Sequence, residues 1–122
     1  MGCRILVIED NEQNMYLIHF LLQSNGHTVI EAMNGEEGIH HAQHSAPDLI
    51  LLDIQLPGMD GYEIAAVIRK TPGLETIPII AVTSYAMAGD REKILAAGAT
   101  DYIEKPINPE TFINQISPYF PA

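Results

Sequence analysis

Polar side chains that could do chemistry come directly after four apolar runs of this chain. The first run ends in two carboxylates, the third in one carboxylate, the fourth in a hydroxyl, and the fifth in a lysine before a proline. These residues are Glu9 and Asp10, Asp53, Thr83, and Lys105 with Pro106. Clustered carboxylates repel one another, so they either raise a pKa or hold a cation. Ligation by oxygen alone favours a hard ion such as Mg²⁺, and no cysteine or histidine at these run ends suggests zinc.

Asp53 has the chemistry of a phosphoryl acceptor. A carboxylate beside Mg²⁺ can attack phosphorus and form an aspartyl phosphate. A lysine and a hydroxyl on the other side of the site would neutralise and hold the phosphoryl oxygens. Each residue alone has a plainer interpretation, because carboxylates often cap helices and lysines often lie in solvated loops. Their shared position after apolar runs favours a functional site.

The apolar runs are predicted strands, and the segments between them are predicted helices. The runs cover residues 5–8, 28–30, 49–52, 79–82 and 102–103. The first, third and fourth are continuously apolar, as in strands of a parallel sheet that helices cover on both faces. Three helices are predicted from apolar residues three or four apart: Met15, Ile18 and Leu22; Ile64 and Ile68; Phe112 and Ile116. Ile94 and Leu95 lie in a further apolar stripe that Gly98 stops, and a weaker helix is predicted over 36–43.

This alternation predicts an α/β fold with five parallel strands and helices on both faces, in one domain over residues 1–122 and with no output domain. In such open sheets ligands bind beyond the carboxyl ends of the strands. The polar residues after the runs would therefore meet at one edge of the sheet.

Composition narrows the classes of function. The net charge of −10 argues against nucleic-acid binding and disfavours anionic membrane surfaces. No apolar run is long enough to cross a bilayer. Cys3 is the single cysteine and cannot form an internal disulfide, which fits a location in the reducing cytoplasm. We expect its side chain to be small and buried, and not a reactive thiol.

The order of these residues resembles the receiver domains of bacterial response regulators in two-component systems. Two stretches are also typical of that family, residues 53–61 (DIQLPGMDG) and 98–106 (GATDYIEKP). Residues 9–12 (EDNE) and 86–90 (AMAGD) are most similar to DivK-type stand-alone receivers and the receivers of hybrid kinases. The resemblance covers the entire chain. It implies a flavodoxin-like (CheY-like) doubly wound (βα)5 fold with strand order 2-1-3-4-5.

The resemblance also implies roles for individual residues. Asp53 would accept a phosphoryl group from a phosphohistidine on a histidine kinase or histidine phosphotransfer protein. Mg²⁺, or Mn²⁺ in its place, would be bound by Asp10, Asp53 and the backbone carbonyl of Gln55, with Glu9 acting through a water. Lys105 would pair with the phosphoryl oxygens, and its peptide bond to Pro106 would be cis.

Switching would follow from the same resemblance. The Thr83 hydroxyl would move toward the phosphoryl group, and Tyr102 would turn inward, changing the face formed by the fourth helix, fifth strand and fifth helix. That face would bind a downstream effector protein. The chain would act as a monomer or as a phosphorylation-dependent dimer. Gln55 and Tyr85 occupy positions that tune access of hydrolytic water, and the bulk of Tyr85 predicts slow self-dephosphorylation.

Other interpretations remain open at this point. A pseudo-receiver that never takes phosphate would not need the complete set of Asp10, Asp53, Thr83 and Lys105. A phosphatase with Asp53 as nucleophile would need an acid two residues later, where Gln55 stands, so we expect no separate substrate turnover. A flavodoxin-like cofactor carrier would place phosphate where Glu9 and Asp10 repel it.

Three histidines near one another look like a metal cluster at helical spacing. They are His40, His41 and His44, and only the first and last share a helix face. With no third ligand nearby, we interpret them as an exposed helix face.

Overall fold

Five strands alternate with five helices along the chain. The structure, a computed structural model, describes residues 2–56, 58–84 and 88–121. The elements are β1 (Arg4–Ile8), α1 (Glu12–Ser24), β2 (Thr28–Ala32), α2 (Gly35–His44), β3 (Leu49–Asp53), α3 (Gly61–Lys70), β4 (Ile79–Thr83), α4 (Ala88–Ala96), β5 (Asp101–Glu104), α5 (Phe112–Ile116) and a final 3-10 helix (Ser117–Tyr119). The strands form one parallel sheet in the order β2-β1-β3-β4-β5. The predicted fold and strand order are confirmed.

Helices cover both faces of the sheet. Ile5 and Val7 of β1 pack with the apolar side chains of α1 and α5. Leu6 and Ile8, at the alternate positions, pack with those of α2 and α3. The strands β3 and β4 are buried at every position. Since no position on these strands faces solvent, their sequences are continuously apolar up to the residues that end them.

Side-chain caps begin three helices close to strand ends. The Asn14 amide donates to Asn11 Oδ1 at 2.9 Å, at the start of α1. Asn34 caps α2 and Asp60 caps α3 in the same way. Such caps are each worth about 1 kcal/mol and fix where a helix starts. The turns after β1 and β3 are therefore held by the residues that follow the acidic side chains.

The fourth helix is the least buried of the five. Of its described side chains, residues 89–96, Ile94 alone is buried. The prediction that Leu95 shares the apolar stripe was wrong, since its side chain is 43% exposed. Successive helical residues point about 100° apart, so a helix with a narrow contact buries only one of two neighbours. In the described part of the chain, no helix combines the length and apolarity that a membrane span requires.

Candidate functional site

The carboxyl ends of β1 and β3 bring three carboxylates together. These strands are neighbours, with Ile8 opposite Leu52, so the residues that follow meet at the same edge. One oxygen from each of Glu9, Asp10 and Asp53 lies within 4.8 Å of the others. Glu9 and Asp53 are buried, whereas Asp10 is exposed. The result is an acidic pocket with buried walls and an open rim.

Lys105 places a positive charge against this pocket. Its Nζ atom lies 3.1 Å from Asp53 Oδ2 and 3.6 Å from Glu9 Oε1. The Lys105 amide donates to the Thr83 carbonyl at 2.7 Å, which ties the lysine to the end of β4. The peptide bond between Lys105 and Pro106 is cis. The ammonium group therefore reaches the acidic pocket from the segment that follows β5, the edge strand next to β4.

The two carboxylate oxygens of Asp53 each accept a hydrogen bond from a different donor. Its Oδ2 contacts Lys105, and its Oδ1 accepts the Gln55 amide at 2.8 Å. The Gln55 side chain in turn accepts the Ser84 amide at 3.0 Å through Oε1. Gln55 thus connects the loop after β3 to the loop after β4. Residues of the chain itself therefore orient both oxygens of Asp53.

Gly61 allows the loop after β3 to fold back closely. A Cβ atom at this position would lie 2.5 Å from the Ile54 Cα atom and 2.9 Å from the Asp53 carbonyl oxygen. Both neighbours are backbone atoms that cannot move aside cheaply. The Gly61 amide also donates to the Ile54 carbonyl at 3.1 Å. Any larger residue would displace the segment that carries the acidic side chain.

The electrostatics of Glu9 fit a bound cation. Burial and, after it, the neighbouring Asp53 carboxyl raise the pKa of Glu9 to about 7, against the opposing effects of the Asn11 amide and Lys105. Among the described residues none donates a hydrogen bond to the buried Glu9 Oε1 atom. A buried carboxylate oxygen without a donor is costly unless cations compensate it, and Lys105 Nζ at 3.6 Å does so only in part, because this distance is too long for a hydrogen bond. With oxygen as the only ligand type, the pocket fits Mg²⁺ or Mn²⁺.

The two predicted switch residues lie on the neighbouring strands β4 and β5. Thr83 is fully buried at the end of β4, opposite Glu104 of β5 in the sheet register. Tyr102 is half-buried on β5, where it packs with Ile54 and Ile94. Tyr85, predicted to tune hydrolysis, lies outside the described residues.

The sequence analysis did not predict the roles of two residues in this region. Asn11 caps α1 and also donates its amide to Glu9 Oε2 at 3.1 Å. An asparagine before an apolar helical stripe is a capping signal, so this residue was within reach of the sequence. Arg91 places its guanidinium carbon 5.4 Å from the centroid of the Tyr102 ring. No local pattern pairs Arg91 with Tyr102, because only the packing of α4 on β5 brings them together.

Comparison with known proteins assigns the family. Residues 5–117 match the response regulator receiver domain, and the chain belongs to that family. It is 43% identical over 115 residues to the polar-differentiation response regulator DivK of Brucella anthropi, covering 94% of each chain. The related DivK of Brucella ovis is 42% identical over the same length.

Solved structures agree with this assignment. The Vibrio cholerae chemotaxis protein CheY4 superposes with a TM-score of 0.93 at 27% identity, covering 98% of this chain and all of the other. The receiver domain of a Pseudomonas aeruginosa sensor histidine kinase superposes with a TM-score of 0.89 at 35% identity, covering 98% of each chain, and holds a magnesium ion in its active site cleft. The protein is therefore a receiver domain of a two-component system, in a family that signals through histidine kinases and downstream effectors.

Proposed function

We propose that this receiver domain accepts a phosphoryl group on Asp53, with Mg²⁺ bound, from a phosphohistidine of a histidine kinase or histidine phosphotransfer protein. The observation that carries the proposal is the surroundings of Asp53. Its carboxylate is buried, its two oxygens are oriented by Gln55 and Lys105, and Glu9 and Asp10 lie beside it. A nucleophile that is already oriented spends little entropy on reaching the geometry of attack.

The transfer step balances without a further reactant. A carboxylate oxygen of Asp53 forms a bond to phosphorus as the bond between phosphorus and the donor imidazole nitrogen breaks. The electron pair of that bond stays on the imidazole, whose other ring nitrogen already carries a proton, so the ring leaves in its neutral form. The Lys105 ammonium group contacts Asp53 Oδ2 and would therefore be close enough to donate to the phosphoryl oxygens once they carry the negative charge.

The metal ligands would come from the same pocket. Asp10, Asp53 and the backbone carbonyl of Gln55 would hold Mg²⁺ directly, and Glu9 would act through a water. The bound ion would neutralise charge that builds up on the phosphoryl oxygens during transfer. Mn²⁺ prefers similar oxygen ligands and would substitute.

The output would be a change in protein binding. The Thr83 hydroxyl would turn toward the phosphoryl group, and Tyr102 would move into the space beside it. The surface of α4, β5 and α5 would then change its affinity for a downstream effector, or for a second copy of the chain. Tyr85 would slow hydrolysis of the aspartyl phosphate by its bulk.

A phosphatase is less well supported by the site. Such an enzyme would need a proton donor two residues after Asp53, where Gln55 stands. The Gln55 Oε1 atom accepts the Ser84 amide, and an amide side chain has no proton to give at neutral pH. The site therefore favours a single phosphorylation event over turnover of a separate substrate.

The test uses the wild type, Asp53→Asn and the exposed-carboxylate control Glu63→Gln, each with Mg²⁺ and beryllofluoride or acetyl phosphate. We expect Mg²⁺-dependent amide shifts at Thr83, Tyr102 and α4, together with addition of one phosphoryl group by mass spectrometry. Both signals should be absent in Asp53→Asn and retained in Glu63→Gln. A wild type that binds Mg²⁺ but shows neither signal would instead support a pseudo-receiver.

A further inference from the structure

Two imidazole rings meet on the solvent side of the last turn of α2, away from the acidic pocket. His40 and His44 are both exposed, and their rings stack with centroids 4.4 Å apart at an interplanar angle of 27°. Residues four apart share one face of a helix. We propose that His40 and His44 form a surface site for a divalent transition metal of the Zn²⁺, Cu²⁺ and Ni²⁺ class.

The hydrogen bonding of His44 leaves the correct nitrogen available. Its Nδ1 atom lies 2.9 Å from the backbone carbonyl oxygen of His40. A carbonyl oxygen can only accept, so Nδ1 carries the proton and Nε2 carries the lone pair. Histidines that bind metals commonly donate their other ring N–H to a backbone carbonyl in this way, which fixes the tautomer and the ring orientation. The neutral ring of His44 is therefore held in the tautomer of a metal ligand.

The separation of the rings suits one shared ion. Nitrogen atoms bound at about 2.0–2.1 Å to a tetrahedral or octahedral ion lie roughly 2.8–3.4 Å apart. The rings are close, with centroids 4.4 Å apart, but they stack, so the His40 ring must rotate until the Nε2 lone pairs of both rings point at one ion. The His40 side chain is exposed, so neighbouring residues do not prevent this rotation, while the hydrogen bond to the His40 carbonyl holds the His44 ring in place. The unpaired carbonyl ends of the helix also favour a cation at this terminus.

The chemistry of the ligands separates this site from the acidic pocket. Imidazole prefers zinc, copper and nickel, whereas Mg²⁺ prefers oxygen ligands. Of the described residues, those of the acidic pocket bring three ligand side chains within 4.8 Å, whereas α2 would supply two imidazoles. Water would fill the remaining coordination positions of an ion on α2. The earlier interpretation as a featureless exposed face rested on the lack of a third ligand, and two oriented imidazoles are enough for a weaker site.

His41 provides a matched control on the same helix. Its Nδ1 atom lies 3.0 Å from Ser45 Oγ, and its side chain is only partly exposed. Its ring lies edge-on to His40 with centroids 5.7 Å apart. The ring of His41 is thus engaged elsewhere, and removing it changes the histidine count without removing a proposed ligand.

The test is a Zn²⁺ and Ni²⁺ titration of the full chain with Mg²⁺ in excess, followed by calorimetry and by thermal unfolding. We expect saturable binding and a metal-dependent rise in Tm for the wild type, His41→Ala and Asp53→Asn. His40→Ala and His44→Ala should each weaken binding by about tenfold or more, a loss of about 1.4 kcal/mol. Each variant is compared with itself without metal, so a change in its intrinsic stability does not affect the result.

Three outcomes would overturn the site. The first is a wild type that binds neither ion below about 100 µM, a concentration at which a micromolar site would be saturated. The second is an equal loss of binding in His41→Ala and His40→Ala, which would indicate a general histidine effect. The third is a loss of binding in Asp53→Asn, which would place the transition metal in the acidic pocket. None of these outcomes tests phosphorylation of Asp53, so the two proposals succeed or fail separately.

Discussion

The acidic pocket and the surface formed by α4 and β5, here called the α4–β5 surface, differ in how completely the side chains of their elements are buried. The pocket stands on β1, β3 and β4, whose apolar positions are almost completely buried. The α4 helix, by contrast, buries Ile94 alone among the described side chains of residues 89–96. Rigid strands hold reacting groups in place, whereas thinly packed elements rearrange at low cost. Under the proposed function, we therefore expect the chemistry to occur in the first region and the conformational response in the second.

Ile54 connects the two regions. It follows Asp53 directly and packs with Ile94 of α4 and Tyr102 of β5 in one small apolar cluster. A shift of the backbone at Asp53 therefore reaches the α4–β5 surface through side-chain contact. The Ser84 amide, directly after β4, also donates a hydrogen bond to the Gln55 side chain. We therefore expect substitutions near the pocket to change the free energy of unfolding strongly. Substitutions near α4 should change it little but should alter the switch.

The largest effect is expected for Leu52→Ala. Leu52 is fully buried in β3, next to Asp53, so its truncation should lower the free energy of unfolding by about 2–5 kcal/mol. Leu95→Ala on α4 removes the same atoms from a side chain that is 43% exposed, and should cost less than about 0.5 kcal/mol. Urea denaturation of both variants measures the difference. Equal losses would contradict the contrast between the two regions.

The second effect concerns the pH dependence of stability without metal. Burial and the Asp53 carboxyl raise the pKa of Glu9 from an ordinary value of 4.5 to about 7. Between these values the folded chain keeps a proton that the unfolded chain has released, so stability falls as pH rises through this window. The expected fall attributable to Glu9 is up to about 3 kcal/mol, and it is complete once pH passes 7.

Urea denaturation of the metal-free wild type and Glu9→Gln at several pH values isolates this contribution. The difference in the free energy of unfolding between the two proteins should change across the window and level off above it. Added Mg²⁺ should restore stability most at high pH, because it binds the ionised carboxylate. A difference that stays constant with pH would show that Glu9 is ionised in the folded state throughout.

The smallest effect is expected for Arg91→Ala. The Arg91 guanidinium lies over the Tyr102 ring, and an exposed contact of this kind is worth about 0.5–1 kcal/mol. Its loss should cost little stability but should free Tyr102, so that a lower concentration of beryllofluoride completes the switch. Arg91→Lys keeps the cation, and Glu92→Gln is the neighbouring control.

The NMR signals of the Tyr102 ring measure the beryllofluoride concentration at which the switch is half complete, called the midpoint below. We expect Arg91→Ala to move the midpoint by about two- to fivefold, the ratio that corresponds to the energy of the contact. Arg91→Lys should lie between Arg91→Ala and the wild type. If Glu92→Gln moved the midpoint as much as Arg91→Ala does, the effect would reflect α4 in general and not the contact with Tyr102.

Much of the fold was readable in the sequence because burial on both faces leaves a simple pattern. The runs that contain Ile5, Leu51 and Ile80 are continuously apolar for that reason, and the order of the elements follows from them. The placing of Glu9 and Asp53 at one edge follows from the parallel direction of the strands. The prediction for Leu95 failed because amphipathic spacing does not say how wide a contact the rest of the fold offers to a helix.

The amino-acid sequence by itself determined the strands, the helix caps and the set of polar residues at the carboxyl edge, since each depends on local spacing. Tertiary packing decided the pKa of Glu9, which depends on how completely Asp53 and the core exclude water. It also decided the contact of Arg91 with Tyr102, which joins two elements that no local pattern pairs. Local geometry is encoded over three or four residues, whereas electrostatic environment and long-range contacts arise only when the distant segments that create them have come together.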